Sequence, residues 1–534
     1  MNRYTLLFAF FILVAASAPA QQRDIDIIHY AFELQLNDQT DTIEGKARIS
    51  LIPAGRTSHI RLQLAGINEA QKGMKVVQMQ VARGKRTIRS FSHTGNEINI
   101  GMDDILPAGD TMVLQITYKG IPADGLIISK NKYGHRTFFA DNWPNRGHNW
   151  LPCADDPADK ATVEFIITAP QHYQVVANGI QIEETNLAGS MKRTHWQEDV
   201  PVATKVMVIG VADFAVQLSG TVDNCIPIYS WVYPENREDG FYDYAQAAEI
   251  LPFFISYAGP YGYKKLANVQ SKTTFGGLEN ANTIFYYENS VTGNRKSEAL
   301  IAHEIAHQWF GNMVTEKSFA HLWLSEGFAT YMTIMYMENR YGTDTAVAML
   351  REDRDQVAAF AKNNHRPVVD TTSNYMQLLN ANSYQKGGWV LHMLRQQLGD
   401  SLFRKCIRAF YANYAGGNAD TDDFRQIIEK ESGRKFGAFF QQWLYTPGIP
   451  QLQIRWDYDA AAKKINLHIS QLQQTPFSFP VEIAVKTGKD KLQLHKLDIR
   501  EAKQSFSISC PDRPAGLLPD PHTRLLFSYE MMPR

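Results

Sequence analysis

Residues 303–326 read HEIAHQWFGNMVTEKSFAHLWLSE. His303 and His307 stand four apart, so on a helix they project from one face, a turn above each other. Glu304 lies beside the first histidine, and Glu326 follows His307 after 18 intervening residues. Two imidazoles and one carboxylate make three ligands for a tetrahedral zinc and leave the fourth position to water, which marks a catalytic rather than a structural site. Glu304 is not needed as a ligand. It is placed to take a proton from that water and deliver it to a leaving amine. Leu300, Ile301, Ile305, Ala306, Trp309 and Phe310 give this segment the apolar surface of a core helix, with Ser297 as its start signal. A buried helix with two satisfied histidines would share the HExxH pattern. The third ligand lies on a second helical run reaching Arg340, so two helices can converge on one metal.

The chain around this stretch has 534 residues, enough for several domains. It is 44% apolar and 20% charged with a formal net charge of −1, the composition of a globular protein with nothing that calls for nucleic acid or an anionic membrane. The first residues differ. Arg3 precedes an apolar run from Leu6 to Ala16, followed by Ala18-Pro19-Ala20. This predicts a signal peptide over residues 1–20 and an exported protein, periplasmic or extracellular. The run is short for a membrane span, and an uncleaved signal anchor is the alternative. Export permits disulfides. Cys153, Cys225, Cys406 and Cys510 lie far apart without metal-ligand spacing, and three pairings stay open.

From Ile25 to Phe214 the pattern is that of strands. Tyr30 to Leu36 alternates apolar and polar, and similar runs recur at 45–52, 59–64, 111–118, 161–169 and 202–214, with Asn37-Asp38 and Asn178-Gly179 among the turn signals. The aromatic and Asn-rich segment FFADNWPNRGHNWLP, residues 138–152, reads as a loop. From about Gly240 the period changes to helical: residues 242–257 form a helix that Pro252 kinks or divides. Residues 266–272 and 283–287 read as strands. Helical runs follow over 344–360, 384–398, 401–414, 421–431 and 436–445. Tyr445 to Pro450 looks like a hinge, and six short strands at 451–458, 464–472, 481–486, 492–499, 504–509 and 525–529 suggest a β-sandwich.

HEIAHQWFGNMVT followed by LWLSEGFATY is similar to the M1 (gluzincin) metallopeptidases, the family of aminopeptidase N. Three further segments share the resemblance. Gly276-Gly277-Leu278-Glu279-Asn280 resembles the GxMEN exopeptidase signature, with Leu at the Met position. Tyr384-Gln385-Lys386-Gly387-Gly388 resembles the segment that carries the family's catalytic tyrosine. LPCADDPADKATVEF, from Leu151, resembles the FPC-x-D-x-P segment. The resemblance implies a multidomain α+β fold: an N-terminal antiparallel β saddle over residues 21–215, a thermolysin-like zincin catalytic domain with a helical lobe over 216–446, and a small C-terminal β-sandwich over 447–534. It implies one zinc per chain on His303, His307 and Glu326, Glu304 as general base, and Tyr384 as donor to the oxyanion. Gly276 and Gly277 allow close backbone approach. An edge strand there could pair with the substrate's main chain. Gly276, Gly277, Glu279 and Asn280 are thus the substrate-binding candidates, with Glu279 accepting from the free α-ammonium of a peptide. Where family members place an amine-binding Gln or Glu ahead of the FPC-like cysteine, this sequence has Trp143, flanked by Asp141 and Asn142. Asp141 is a candidate for the lost acceptor; a structural loop packed on Trp143 and Trp150 is the alternative. Family members often carry Asp at the position of His321, which leaves the partner that orients the ligand histidines unassigned.

The implied function is that of a zinc-dependent aminopeptidase, EC class 3.4.11, acting on peptides with a free N-terminus. Two rivals remain at this level. A zinc endopeptidase of thermolysin type would share the metal residues but need no amine anchor. A non-catalytic secreted peptide-binding protein would keep the scaffold without turnover.

Overall fold

Alternation along the N-terminal strands sets one sheet face inward. In Ile43–Pro53, residues Ile43, Ala47, Ile49 and Leu51 are fully buried, with charged and polar side chains between them. The computed structural model describes residues 24–84, 86–223, 225–487 and 492–533, so the signal-peptide expectation for residues 1–20 lies outside the described residues. The largest sheet has seven strands in the spatial order Ile180–Leu187, Met191–Ala203, Lys160–Pro170, Ile25–Gln35, Ile43–Pro53, Met112–Ile121, Gly73–Arg83. It is antiparallel but for one pair: Ile25–Gln35 runs parallel to Lys160–Pro170. Smaller four- and three-stranded sheets complete this β-rich half.

Two sequence expectations change here. The run 202–214 is not one strand. Met191–Ala203 ends in the seven-stranded sheet, a short turn at Thr204–Val206 follows, and Ile209–Ala212 joins the four-stranded sheet. The run is mostly apolar because both sheets bury it. Residues 138–140 are not loop either; they close the strand Arg136–Ala140, and the irregular segment begins only at Asp141.

The central region opens with a five-stranded mixed sheet in the order Ala215–Val222, Ile226–Val232, Leu266–Ser271, Thr283–Tyr287, Gly277–Leu278. The two-residue strand Gly277–Leu278 is an edge, antiparallel to Thr283–Tyr287. Helices α1 (Arg237–Tyr244) and α2 (Ala247–Ala258) come next in the chain after the second of these strands. The helix expected over 242–257 therefore breaks at Ala245-Gln246, and Pro252 sits inside α2. Just before the break, the Asp243 carboxylate accepts from the backbone N–H groups of Thr292, Gly293 and Arg295 at 2.6, 2.8 and 2.8 Å and ties α1 to that loop.

The helical lobe comprises α3 (Glu298–Ala306), α4 (Trp323–Tyr341), α5 (Thr343–Ala361), α6 (Gly387–Leu398), α7 (Asp400–Tyr414) and α8 (Thr421–Ser432). Two glycines set how closely α4 and α6 cross. A Cβ on Gly327 would lie 2.8 Å from the Cα of Gly387, so any side chain at this crossing would drive the helices apart. The C-terminal residues form a four-stranded and a three-stranded sheet, with seven strands rather than six. Gly516–Pro519 is the strand not expected, and the last strand is Ser528–Pro533 rather than 525–529. The expected hinge is pinned. Lys386 Nζ donates to the carbonyls of Thr446 and Gly448, at 3.4 and 2.7 Å. All four cysteines are free, and Cys153, Cys406 and Cys510 are buried thiols.

Candidate metal centre and active site

His303 lies in α3 and His307 caps its C-terminus, while Glu326 lies in the first turn of α4. The two helices bring three donor atoms together. His303 Nε2 and His307 Nε2 are 3.1 Å apart, and Glu326 Oε2 is 3.4 Å from the first and 3.2 Å from the second. Ligands about 2.0–2.1 Å from a tetrahedral zinc stand about 3.4 Å from one another, so these separations fit a single zinc-sized cation. Burial lowers the basicity of His303, which favours the neutral, ligating imidazole. Burial alone would raise Glu326, but the two imidazoles outweigh it and hold its carboxyl well below the usual range.

The outer partners come from the turn after α3. His307 Nδ1 faces the Phe310 carbonyl and Ser325 Oγ, both at 3.1 Å. Donation to the carbonyl fixes the tautomer with Nε2 free to ligate. Gly311 makes this turn possible: its φ is +122°, and a Cβ there would lie 2.4 Å from Ser325 Oγ. His321 plays no part in it; its Nδ1 pairs with Thr421 Oγ1 at 2.9 Å.

A cavity of about 440 Å³ opens over the triad. Glu304, 5% exposed, lines it beside His303 and His307. Burial pushes its carboxyl well above the ordinary range, with His307 acting against this and Glu279 and Glu326 with it. Tyr384 sits in a wide turn over Asn382–Lys386, closed by a bond from the Lys386 N–H to the Ala381 carbonyl at 2.8 Å. Wide turns of this kind recur at functional sites. The glycine crossing of α4 and α6, together with the Lys386 anchor, brings the Tyr384 ring to 6.1 Å from that of His303, in the cavity that Glu326 also lines. Burial pushes the phenol well above its usual value, so it stays a donor at neutral pH.

Gly276, Gly277, Leu278 and Glu279 line the same cavity. Glu279 is 5% exposed, and its Oε1 has no hydrogen-bond partner among the described residues. Its backbone is held from the other side: Gln308 Nε2 and Asn312 Nδ2 donate to the Glu279 carbonyl at 3.1 and 2.6 Å. Gln308 also donates to the Glu304 carbonyl at 3.3 Å and accepts from the Asn282 N–H at 2.7 Å. Gln308 and Asn312 are thus positioning residues that the sequence did not single out, although both lie inside HEIAHQWFGN. Asn280 is not among the residues that line the cavity and is 1% exposed.

For Asp141 the structure favours the second of the two alternatives, a structural loop. The residue is fully buried, pairs with Arg146, and accepts from Thr273 Oγ1 and the Thr274 N–H at 3.2 and 3.3 Å. Its carboxylate is therefore spent on the segment leading into Gly276 and is not an amine acceptor. Trp143 is the cavity wall, edge-on to Phe275 at 5.9 Å and Phe319 at 6.0 Å.

A sequence model of the Peptidase M1 N-terminal domain matches residues 27–206, and one of the Peptidase family M1 domain matches residues 242–443. Among curated relatives, Aminopeptidase M1-B of Oryza sativa subsp. japonica is 28% identical over 396 residues, covering 70% of this chain and 44% of that protein. Glutamyl aminopeptidase of Homo sapiens is 26% identical over 396 residues, covering 70% and 41%. Tricorn protease-interacting factor F2 of Thermoplasma acidophilum is 26% identical over 473 residues, covering 82% and 58%. The chain thus spans about half the length of the relatives it matches. Among solved structures, Legionella pneumophila aminopeptidase A in complex with aspartic acid superposes with a TM-score of 0.82 at 17% identity, over 96% of this chain and 60% of that one, which shows a shared fold. No helix among the described residues is long and apolar enough to cross a membrane.

Proposed function

Because the chain belongs to the M1 peptidase family, we propose that it is a zinc-dependent aminopeptidase that removes N-terminal residues from peptides, with one zinc held by His303, His307 and Glu326. The observation that carries this is the meeting, in one cavity, of a cation-sized ligand triad with the unpartnered carboxylate of Glu279. When bound, zinc supplies a Lewis acid that acidifies water and polarises a carbonyl.

The chain's own residues do the rest. Glu279 accepts from the α-ammonium of the substrate, a cation that only a free N-terminus supplies, and so limits cleavage to the first residue. The free edge of Gly277–Leu278 is open to the substrate's main chain. Glu304 takes a proton from the attacking water as its oxygen bonds to the scissile carbon. It passes that proton to the amide nitrogen as the C–N bond breaks. Tyr384 donates from its hydroxyl to the oxygen that gains charge. The basic start and apolar run at residues 3–20 support export to a periplasmic or extracellular space.

The test is Glu304→Gln. The variant keeps one zinc by elemental analysis and loses about 10²–10⁴ of the turnover. Retention of most of the activity would remove Glu304 from the mechanism.

A further inference from the structure

The cavity has a direction that α3 defines. Glu279 is tied to Gln308 and Asn312, just beyond the C-terminal end of α3, and the ligand histidines follow at 307 and 303. Ala299 and Leu300, one turn before His303, line the opposite end together with Thr330, Thr333 and Ile334 of α4. Those α4 residues lie one to two turns past Glu326, up to about 12 Å at 1.5 Å per residue. With the amine at Glu279, the far end receives the part of the peptide beyond the scissile bond.

One carboxyl side chain lines the cavity outside the metal-binding, general-base and amine-binding residues. Asp353 of α5 lines the cavity with Met349, one turn before it on the same helix face. It is partly buried, and no hydrogen bond or ion pair joins its carboxylate to any described residue. The arginines that flank it turn to the C-terminal sheets: Arg351 bonds Thr523 Oγ1 at 3.2 Å, and Arg354 pairs with Asp520 at 3.0 Å. No Lys or Arg lines the cavity, so nothing within it neutralises Asp353.

Resting on the aminopeptidase reading, we propose that Asp353 is a specificity-determining residue that selects peptides with a lysine or arginine side chain one or two residues beyond the scissile bond. An extended substrate advances about 3.3 Å per residue, so a long cationic side chain at either place reaches the Asp353 wall. A neutral or acidic side chain there leaves the carboxylate unpaired or repelled.

The experiment uses the zinc-loaded full chain at pH 8, where the Asp353 carboxyl is ionised, and two peptide series, Leu-Xaa-Ala-Ala and Leu-Ala-Xaa-Ala, with Xaa as Lys, Arg, Gln, norleucine or Glu. A charge-assisted contact predicts kcat/KM at least about tenfold higher for Lys and Arg than for Gln and norleucine in one series. Asp353→Asn brings that ratio below about threefold, and Asp353→Lys shifts the preference toward Glu. Ratios within threefold in both series of the parent enzyme overturn the proposal without any variant. Cleavage of the peptides with no such preference leaves the aminopeptidase reading standing and sinks this one. Failure to cut any free-amine peptide, or leucyl-aminomethylcoumarin, sinks both.

Discussion

Replacing Gly277 by alanine isolates the placement of the general base. A Cβ at 277 would lie 2.2 Å from Glu304 Oε1, 2.5 Å from its Cδ and 2.7 Å from its Cγ, so its three nearest neighbours are all atoms of that one side chain. The backbone at 277 has no left-handed φ, and alanine fits it. The carboxylate must give way, by roughly 1 Å before ordinary contact is restored, and a misplacement of about that size costs about 10²-fold in rate. Since a general base contributes about 10²–10⁴-fold, Gly277→Ala should lower kcat by about 10²–10³. The assay is hydrolysis of leucyl-aminomethylcoumarin over a full substrate range, with zinc content and thermal unfolding measured on the same sample. The fold and the metal should survive, because the clash is with a side chain that lines an open cavity. A methyl that merely crowded the substrate would raise KM and spare kcat. A kcat within threefold of the parent would refute the close packing of Gly277 on Glu304 as the device that aims the base.

Two other perturbations test separate parts of the site. Tyr384→Phe deletes a hydroxyl in the cavity of the metal triad and should cost about 10²–10³ in kcat with zinc retained, as judged by single-turnover kinetics; an unchanged kcat would remove the phenol from oxyanion stabilisation. Asp353→Asn should stabilise the protein in a pH-dependent way. Burial pushes the Asp353 carboxyl up to about 7, with Glu352 beside it adding to the shift. The folded state then binds more protons than the unfolded state between the ordinary carboxylate pKa and 7, so this group's contribution falls as pH rises through that window. The cost is complete above pH 7, on the order of 2–4 kcal/mol at most. Calorimetric unfolding should therefore show the variant's Tm gain at pH 8 and little of it at pH 4.5; equal gains at both would contradict the assigned cause.

The metal triad was legible because it rests on local geometry. A spacing of four on a helix fixes His303 and His307 on one face whatever the rest of the chain does. Gly277 and Glu279 were singled out by resemblance to the GxMEN signature, and both line the cavity. Residues whose roles depend on long-range packing were not. Gln308 and Asn312 act across 29 and 33 positions on Glu279, and nothing in their neighbourhood encodes that partner. Asp353 lies in REDRD, a run that reads as a solvated helix face, and only the packing of α5 beside α4 turns it into the cavity. Asp141 reads from sequence equally as an acceptor or as part of a structural loop, and only its contacts with Arg146 and the Thr274 N–H decide between the two. The same limit applies to the fold. Alternation over Tyr30–Leu36 located the strand that runs from Ile25 to Gln35, but its parallel pairing with Lys160–Pro170 is a contact across more than a hundred residues. The helix breaks before α2, at Ala245-Gln246, while Pro252, the local signal, lies inside α2.

The most direct measurement compares the zinc-loaded chain and its Glu279→Ala variant on a panel of aminoacyl-aminomethylcoumarins, each with a free and an N-acetylated amine. An ion-paired amine anchor is worth about 1.5–3 kcal/mol, or about 10- to 100-fold. The parent should cut the free-amine substrates alone, and the variant should lose about that factor on them. Equal cleavage of free and acetylated substrates by the parent would contradict the account: Glu279 would then be a buried turn residue, and the site that of an endopeptidase.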